Sequence, residues 1–259
     1  MIGVVVGTSE GKEILSLLNE FTEDIFVSTA TKYGGELLEN YKYKILNTNP
    51  LDKYGFCKII RDNNISIFID ASHPYAIEVS KNVIEACKCS GIVYFRYERP
   101  SIIEEFKNYK NIIRVKDYKE LKEKLKNING TILDTTGSKN IQKIIDMNLN
   151  SRIVHRVLPS SLVIKKCIDL GVKIENLIAI KGPISYELNK AFIKEYNAKA
   201  LIMKDSGAAG GTYEKAKAII DMNICGLIIE RENIDYKNKF TSIKKLIDKV
   251  KGENNEYFK

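Results

Sequence analysis

The chain has 259 residues, of which 44% are hydrophobic and 29% are charged, and its net charge is +8. These values are typical of a folded protein with one large or two small domains. No apolar run approaches the ~20 residues of a membrane-spanning helix. The amino terminus lacks the basic start and long apolar stretch of a signal peptide, so we expect a cytoplasmic protein without a membrane segment.

Val/Ile-rich runs alternate with amphipathic helical patterns along the whole chain, with one pause at residues 100–109. We predict strands at residues 2–6, 24–31, 65–70, 93–96, 111–115, 131–134, 152–157, 177–180, 200–203 and 226–230. We predict helices at residues 10–20, 51–63, 76–90, 117–126, 139–147, 160–170, 186–196, 212–222 and 240–250, with Gly91 as the stop of the third. Such alternation favours an α/β fold of two Rossmann-like, doubly wound parallel-sheet domains with a cleft between them, over residues 1–100 and 101–259.

The lysine excess favours an acidic partner, either nucleic acid or a small polycarboxylate, unless these lysines are simply solvated. They are scattered along predicted helices such as residues 116–126 and form no basic arm with interleaved aromatic residues. We therefore predict no nucleic-acid partner.

The cysteines give no metal or disulfide pattern. Five occur, and no two stand in a C-x-x-C spacing. Cys87 and Cys89 lie one residue apart in a predicted helix, so they point to different faces. We interpret all five as reduced packing residues and predict no metal site.

Ligands of open α/β sheets bind beyond the carboxyl ends of the strands, so the loops that follow strands are the candidate sites. The first strand is followed by Gly7-Thr8-Ser9-Glu10-Gly11, which opens into a helix. Free N–H groups at such a helix start suit a phosphate. The motif is neither G-x-G-x-x-G nor a P-loop, and a tight turn without a ligand would have a similar sequence.

The second strand ends in Ser28-Thr29-Ala30-Thr31-Lys32, without the acidic residue that usually holds the ribose of NAD. Hydroxyl groups and a lysine suit a 2′-phosphate instead, which favours NADPH over NADH. The alternative is an ordinary strand end rich in threonine and serine.

A third loop, Asp70-Ala71-Ser72-His73-Pro74-Tyr75-Ala76, contains one of the two histidines of the chain. Pro74 favours an extended backbone at His73. We interpret His73 as a ligand contact, and the alternative is a structural histidine.

Strand-end loops of the second half bring hydroxyl groups and cations. They are Asp134-Thr135-Thr136-Gly137-Ser138-Lys139-Asn140, Arg156-Val157-Leu158-Pro159, Lys181-Gly182-Pro183 and Lys204-Asp205-Ser206-Gly207. Converging cations suit a ligand with several carboxylates. The alternatives are that Ser138 only caps a helix and that each cation is solvated.

The Tyr-x-x-x-Lys pair of short-chain dehydrogenases occurs four times, where about two matches arise by chance, and none stands at the expected place after a mid-chain strand, so we discard it. No Ser-His-Asp order, H-E-x-x-H motif or carboxylate dyad stands out.

Taken together, these loops resemble the precorrin-6A reductase family of cobalamin biosynthesis, in family order across nearly the whole chain. The loops quoted above carry the resemblance, together with Tyr33-Gly34, Arg96-Tyr97-Glu98-Arg99-Pro100 and Gly182-Pro183. Two departures are Ser72, where the family more often has threonine, and the variable stretch Ala208-Ala209-Gly210-Gly211.

The resemblance implies reduction of one macrocycle double bond of precorrin-6A, or of its cobalt form, by NADPH or NADH, giving precorrin-6B. It implies that residues 1–100 bind the cofactor and that residues 101–259 bind the substrate and close over the cofactor. The partner is then a polycarboxylate tetrapyrrole, which suits basic loops, and any cobalt belongs to the substrate. The sequence leaves the oligomeric state open.

On this resemblance we assign three groups of residues. The cofactor residues are Gly7, Thr8, Ser9 and Gly11 for phosphates or ribose, Ser28, Thr29 and Thr31 for the adenosine end, and Thr136, Gly137 and Ser138 for closure. The substrate residues are His73, Tyr75, Arg96, Arg99 and Lys181. Lys204 and Asp205 are the predicted catalytic residues, with Asp205, a lysine or water as the source of the proton.

Two rival functions stay open on the residues alone. A non-catalytic dinucleotide sensor would keep the turn at residues 7–11 without needing cations in the second half. A short-chain dehydrogenase or epimerase acting on another small substrate would need one Tyr/Lys pair in its cleft.

Overall fold

The computed structural model describes residues 1–257 and divides the chain into two compact units. Unit 1 comprises Met1–Arg99 and Asn233–Lys259, and unit 2 comprises Pro100–Glu232. Each unit holds one six-stranded sheet in which every pairing is parallel. The predicted fold class of two doubly wound parallel sheets is therefore confirmed.

The strands of unit 1 are β1 (Ile2–Val6), β2 (Ile25–Ser28), β3 (Ile45–Asn47), β4 (Ile67–Ala71), β5 (Val93–Tyr97) and β12 (Lys239–Phe240). Its helices are α1 (Glu10–Asn19), α2 (Lys32–Glu36), α3 (Lys53–Asp62), α4 (Ile77–Ser90) and α10 (Ile243–Tyr257). The strand order is β3-β2-β1-β4-β5-β12. This is the 3-2-1-4-5-6 order of dinucleotide-binding folds, with β12 in the sixth place.

The strands of unit 2 are β6 (Ile112–Val115), β7 (Thr131–Asp134), β8 (Ile153–Val157), β9 (Leu177–Ala179), β10 (Ala198–Lys204) and β11 (Cys225–Ile229). Its α-helices are α5 (Tyr118–Leu125), α6 (Ile141–Ile145), α7 (Ser161–Asp169), α8 (Tyr186–Glu195) and α9 (Thr212–Asp221). The order β9-β8-β7-β10-β11-β6 has the same form, except that its sixth place is taken by the strand that comes first in the unit.

Each sheet is buried on both faces, which explains why its strands are continuous runs of apolar residues. In unit 1, Leu15 of α1 and Leu246 of α10 pack on one face, and Phe56 and Val83 pack on the other. In unit 2, Ile193 and Ile219 cover one face and Cys167 lies on the other. Each fully buried aliphatic or aromatic side chain stabilises the fold by roughly 1.5–3 kcal/mol.

The carboxyl-terminal segment corrects the predicted division of the chain. Residues 233–257 were assigned to the second domain, but they belong to unit 1. β12 pairs in parallel with β5, and Phe240 meets Phe95 edge-on at 5.7 Å between ring centroids. Residues 258 and 259, also assigned to that domain, lie outside the described part of the chain.

Sequence patterns predicted most of the helices and strands, but three short elements were missed. The predicted stop at Gly91 is confirmed, since Gly91 has φ 67° and its N–H bonds to the carbonyl of Cys87. β3, α2 and β12 span only two to five residues. Such short segments carry too little periodicity to be recognised, and neighbouring strands hold β3 and β12 in place.

Candidate functional site

The strand order of unit 1 reverses between β1 and β4, and the crevice at such a reversal is where dinucleotides bind. Gly7 follows β1, and His73 lies just beyond β4. A Cβ atom built on Gly7 would lie 3.2 Å from the backbone nitrogen of His73. Glycine therefore lets these two loops approach each other at the edge where a ligand would bind.

The loop after β1 places its predicted residues in two different environments. Gly7 and Ser9 are exposed, and the Thr8 hydroxyl donates to the Ala71 carbonyl at 3.4 Å. Gly11 is buried, and a Cβ there would lie 2.7 Å from Cγ1 of Val6. Gly11 thus serves close packing of α1 on β1, which corrects its predicted contact with the cofactor.

Arg99 and Glu10 form a mostly buried ion pair at the same edge. Burial alone would raise the pKa of Glu10, but the charge of Arg99 and hydrogen bonds lower it overall. The charge of Arg99, a predicted substrate residue, is therefore largely matched within unit 1.

The residues predicted for the adenosine end differ in accessibility. Ser28 and Thr29 are buried, and their hydroxyls bond to the amide of Asn47 and the carbonyl of Thr31. This corrects their predicted contact with the cofactor. Thr31 is exposed and caps α2, since its hydroxyl accepts the Gly34 N–H at 3.1 Å, and Lys32 beside it is also exposed.

A buried network of hydrogen bonds lies at the carboxyl ends of β4 and β5. Asp70 accepts hydrogen bonds from the Ser72 amide at 2.9 Å, the Ser80 hydroxyl at 2.6 Å, the Tyr94 hydroxyl at 2.9 Å and Nη1 of Arg96 at 2.9 Å. Asp70 and Arg96 are both 0% exposed. Burial followed by the charge of Asp70 raises the pKa of Tyr94. Arg96 therefore positions the loop after β4, which corrects its predicted contact with the substrate.

His73 and Tyr75 lie half-buried on that loop. Nδ1 of His73 accepts the Tyr75 amide at 3.2 Å, so the neutral ring carries its proton on Nε2. The ring centroids of His73 and Tyr75 are 5.8 Å apart. The network around Asp70 thus holds two ring side chains at the edge that carries Gly7.

In unit 2 the strand order reverses between β7 and β10, and hydroxyl groups and charges follow both strands. Asp134 accepts the Thr136 N–H at 2.9 Å, the Thr136 hydroxyl at 2.7 Å and a bond from Nδ1 of His155 at 2.8 Å. Thr136 is only 2% exposed, which corrects its predicted contact with the cofactor. Gly137 and Ser138 are partly exposed just beyond it.

The two predicted catalytic residues end β10. Burial lowers the pKa of Lys204. Asp205 is 1% exposed, its carboxylate lies 3.1 Å from Nε of Arg231, and it accepts the Gly207 N–H at 3.3 Å. This geometry favours a loop-holding role for Asp205 over the predicted donation of a proton.

Two cations of unit 2, the half-buried Arg156 and the buried Lys215, are absent from the predicted site residues. Burial lowers the pKa of Arg156 to about 10, and its Nη1 donates to Oδ1 of Asn189 at 3.0 Å. Lys215 is 5% exposed, and burial followed by the charges of Arg156 and Lys204 lowers its pKa to about 7. The position of Arg156 at the end of a strand could have identified it as a candidate site residue. Lys215 has no such signal, because its sequence context is that of any lysine in a helix. Lys181 is exposed after β9.

The surface hollow on the opposite edge of the second sheet is not a candidate ligand site. A hollow lined by Leu125, Gly130, Ser151 and Arg152 lies at the amino edge of β7 and β8, opposite the edge where ligands of such sheets bind. Among the side chains that the structure describes, residues 1–253, no cluster of three metal-ligating groups occurs. Over the same residues, no helix is long and apolar enough to cross a membrane.

Known proteins resemble this chain over nearly its whole length. The family model of precorrin-6x reductase CbiJ/CobK matches residues 1–251. The cobalt-precorrin-6A reductase of Methanocaldococcus jannaschii is 37% identical, over 93% of this chain and 94% of that protein. That of Priestia megaterium is 30% identical, over 95% and 96%.

A solved structure of CobK precorrin-6A reductase has the same fold, with a TM-score of 0.76 at 15% identity, covering 97% of this chain and 96% of that one. Both the family match and the close relatives extend over both units. The chain therefore belongs to the precorrin-6x reductase CbiJ/CobK family.

Proposed function

We propose that the protein reduces one double bond of the macrocycle of cobalt-precorrin-6A with NADPH. Family membership supports the reaction class. The structural observation that carries the proposal is the meeting of Gly7 with the His73 backbone at the strand-order reversal of unit 1. That is where a Rossmann-type sheet receives a dinucleotide.

In this proposal the carboxyl edge of unit 1 binds the cofactor. A side chain at Gly7 would crowd the approach of a pyrophosphate, and the exposed start of α1 offers N–H groups and a positive dipole end. Gly7, Thr8 and Ser9 would hold the phosphates or ribose, and Thr31 and Lys32 the adenosine end. The bound cofactor supplies the hydride, while the network around Asp70 keeps the His73 loop in place.

The carboxyl edge of unit 2 binds the carboxylates of the tetrapyrrole in this proposal. Arg156 and Lys204 lie at the carboxyl ends of β8 and β10, and Lys181 lies just beyond β9. The lowered pKa of Lys204 reflects burial of a cation, and such a cation gains most from an incoming carboxylate. Gly137 and Ser138 stay candidates for closure over the cofactor, and the cytoplasmic location stays a prediction.

Two finer choices complete the proposal. NADPH is favoured because the end of β2 has no acidic residue and presents Lys32, which makes no ion pair within the described residues. The cobalt-containing substrate is favoured because the relatives at 37% and 30% identity are named for it.

The reaction is tested by mixing the purified protein anaerobically with NADPH and either cobalt-precorrin-6A or precorrin-6A. We expect a fall in absorbance at about 340 nm only when tetrapyrrole is present, and faster turnover with the cobalt form. A dinucleotide sensor would bind NADPH without oxidising it. Absence of oxidation with both tetrapyrroles would exclude the reductase.

The cofactor choice is tested with Lys32→Met, and Lys44→Met, on the amino edge of unit 1, is the matched control. Because a 2′-phosphate loses one charged contact, we expect the KM for NADPH to rise about tenfold and that for NADH to stay unchanged. An equal rise for both cofactors would contradict a phosphate contact at Lys32.

A further inference from the structure

Lys215 is a buried cation that the reaction described above leaves unused. It lies in the first turn of α9 and is 5% exposed. Its ammonium group makes no hydrogen bond or ion pair with any side chain or backbone group in the described part of the chain. A lysine is costly to bury in its charged form without a partner, so its presence here requires a reason.

The charges around Lys215 come from the carboxyl ends of two strands, β8 and β10, and from its own helix. Arg156 of β8 and Lys204 of β10 disfavour its protonation, while Glu214 and Asp205 favour it. Asp205 is already paired with Arg231, and Oε2 of Glu214 is buried without a hydrogen-bond partner among the described residues. Neither carboxylate is therefore bonded to the Lys215 ammonium.

The position of Lys215 directs it towards the carboxyl edge of the sheet. Side chains in a helix lean towards its amino end, and α9 begins directly after the glycine-containing loop that follows β10. Gly207 and Gly211 in that loop have φ of 69° and 71°. The start of α9 adds backbone N–H groups and a positive dipole end to the same region, which favours an anion.

We propose that Lys215 is the cationic anchor of an oxyanion site at the start of α9, and that this site takes up one proton when its oxyanion binds. Arg156 and Lys204 complete the site. The proton comes from the buffer and adds to the neutral Nζ of Lys215, which then forms an ion pair with the bound oxyanion.

The proton uptake follows from burial and from the two neighbouring cations. Together they lower the pKa of Lys215 from 10.5 to about 7, so the amine is mostly neutral at pH 8. A bound oxyanion favours the charged form and raises the pKa again. Affinity should therefore fall by up to about tenfold per pH unit between pH 7 and the raised pKa.

Two ligands of the proposed function carry oxyanions, namely the tetrapyrrole with its carboxylates and the nicotinamide nucleotide with its phosphates. Only the source of the oxyanion rests on the proposed function. Calorimetric titrations at pH 8 in HEPES and in Tris, with NADPH alone and with the octacarboxylate uroporphyrin III alone, distinguish the two sources and count the protons taken up.

For wild type we expect close to one proton taken up with one of the two probes. Lys215→Arg should bind that probe without proton uptake, because arginine stays charged. Lys215→Met should bind it more than about tenfold more weakly, also without uptake. Lys217→Met, two residues along α9 and exposed, should behave as wild type.

Proton uptake that persists in Lys215→Arg, or its absence from wild type with both probes, would overturn the inference. Anaerobic turnover separates this result from the proposed function. If cobalt-precorrin-6A is turned over but no proton is taken up on binding, the proposed role of Lys215 is wrong and the proposed reductase activity stands. Proton uptake without turnover leaves the oxyanion site and removes the reductase.

Discussion

Units 1 and 2 build the same sheet but equip its carboxyl edge differently. In each unit an aspartate at the carboxyl end of the fourth strand in sheet order (β4 or β10) pairs with an arginine at the carboxyl end of the fifth (β5 or β11), as Asp70 with Arg96 and Asp205 with Arg231. In each, that aspartate also accepts the N–H two residues ahead. The same arrangement of an ion pair and a backbone hydrogen bond thus holds the loop after β4 and the loop after β10.

The two units differ in whether the cationic side chains at this edge have carboxylate partners. In unit 1 the buried arginines at the edge have carboxylate partners, as Arg99 has Glu10, and the exposed groups include glycine and hydroxyl groups. In unit 2, Arg156 donates to an amide and Lys215 has no partner among the described residues. This difference fits the proposed function, in which unit 1 binds a dinucleotide and unit 2 binds a polyanion.

The largest effect should come from breaking the more deeply buried ion pair. Asp70→Ala leaves Arg96 buried without its carboxylate, and we expect a loss of about 3–5 kcal/mol in the free energy of unfolding. Asp205→Ala should cost less, because Arg231 is 12% exposed and its Nε also bonds to the backbone carbonyl of residue 205 at 2.9 Å.

Urea unfolding followed by circular dichroism measures both losses. Asp62→Ala is the control, since its pair with Arg61 is exposed and should change stability by less than about 1 kcal/mol. A cost of Asp205→Ala equal to that of Asp70→Ala would mean that the two pairs are energetically equivalent.

The next effect should be a pH dependence that belongs to unit 2. The pKa of Lys215 is lowered to about 7 in the folded protein, against 10.5 ordinarily. Between these values the unfolded chain holds more protons, so stability should rise with pH, by up to about 1.4 kcal/mol per unit. Lys215→Met removes this rise and should be more stable than wild type near pH 7.

Unfolding free energies at pH 7 and pH 9 test this expectation. The advantage of Lys215→Met should shrink at the higher pH, whereas Lys217→Met should track wild type throughout. An advantage that does not depend on pH would show that Lys215 is not titrating in this range.

Glycine substitutions should separate binding from folding in the two loops. Gly7→Ala places a Cβ 3.2 Å from the His73 nitrogen, and we expect NADPH affinity to fall about tenfold, or about 1.4 kcal/mol. A Cβ on Gly137 meets nothing within 4 Å, but its φ of 90° strains any other residue. Gly137→Ala should therefore cost about 1–3 kcal/mol of stability with a smaller effect on NADPH affinity.

Fluorescence titration with NADPH, paired with thermal unfolding, gives both quantities. The reverse pattern, with Gly137→Ala weakening NADPH and Gly7→Ala leaving it unchanged, would assign the dinucleotide to unit 2.

The smallest effect should distinguish two helix starts. The Thr31 hydroxyl accepts the Gly34 N–H, while the side chain of Ser160 before α7 makes no capping bond. Thr31→Ala should cost about 0.5–2 kcal/mol of unfolding free energy, and Ser160→Ala should leave it nearly unchanged. Equal losses in urea unfolding would show that the capping bond of Thr31 contributes little in solution.

The sequence located the strand-end loops, but it did not show in which direction their side chains point. The loops at Gly7, His73, Gly137 and Lys204 lie at carboxyl edges because parallel strands share one direction. Arg96 also ends a strand, but it points into the sheet–helix interface towards Asp70, and a strand's alternation alone does not say which face holds a polar partner.

The sequence by itself determined two parallel α/β sheets, the loops at their carboxyl edges and the family, because strand periodicity, helix stops and strand-end motifs are local. Only the tertiary structure decided that residues 239–240 complete the first sheet, that Arg96 and Asp205 are held inside ion pairs, and that Lys215 is buried near other cations. Those facts depend on contacts between residues far apart in the chain. The sequence does not distinguish an exposed lysine in a helix from a buried one, although burial lowers the pKa of the buried lysine.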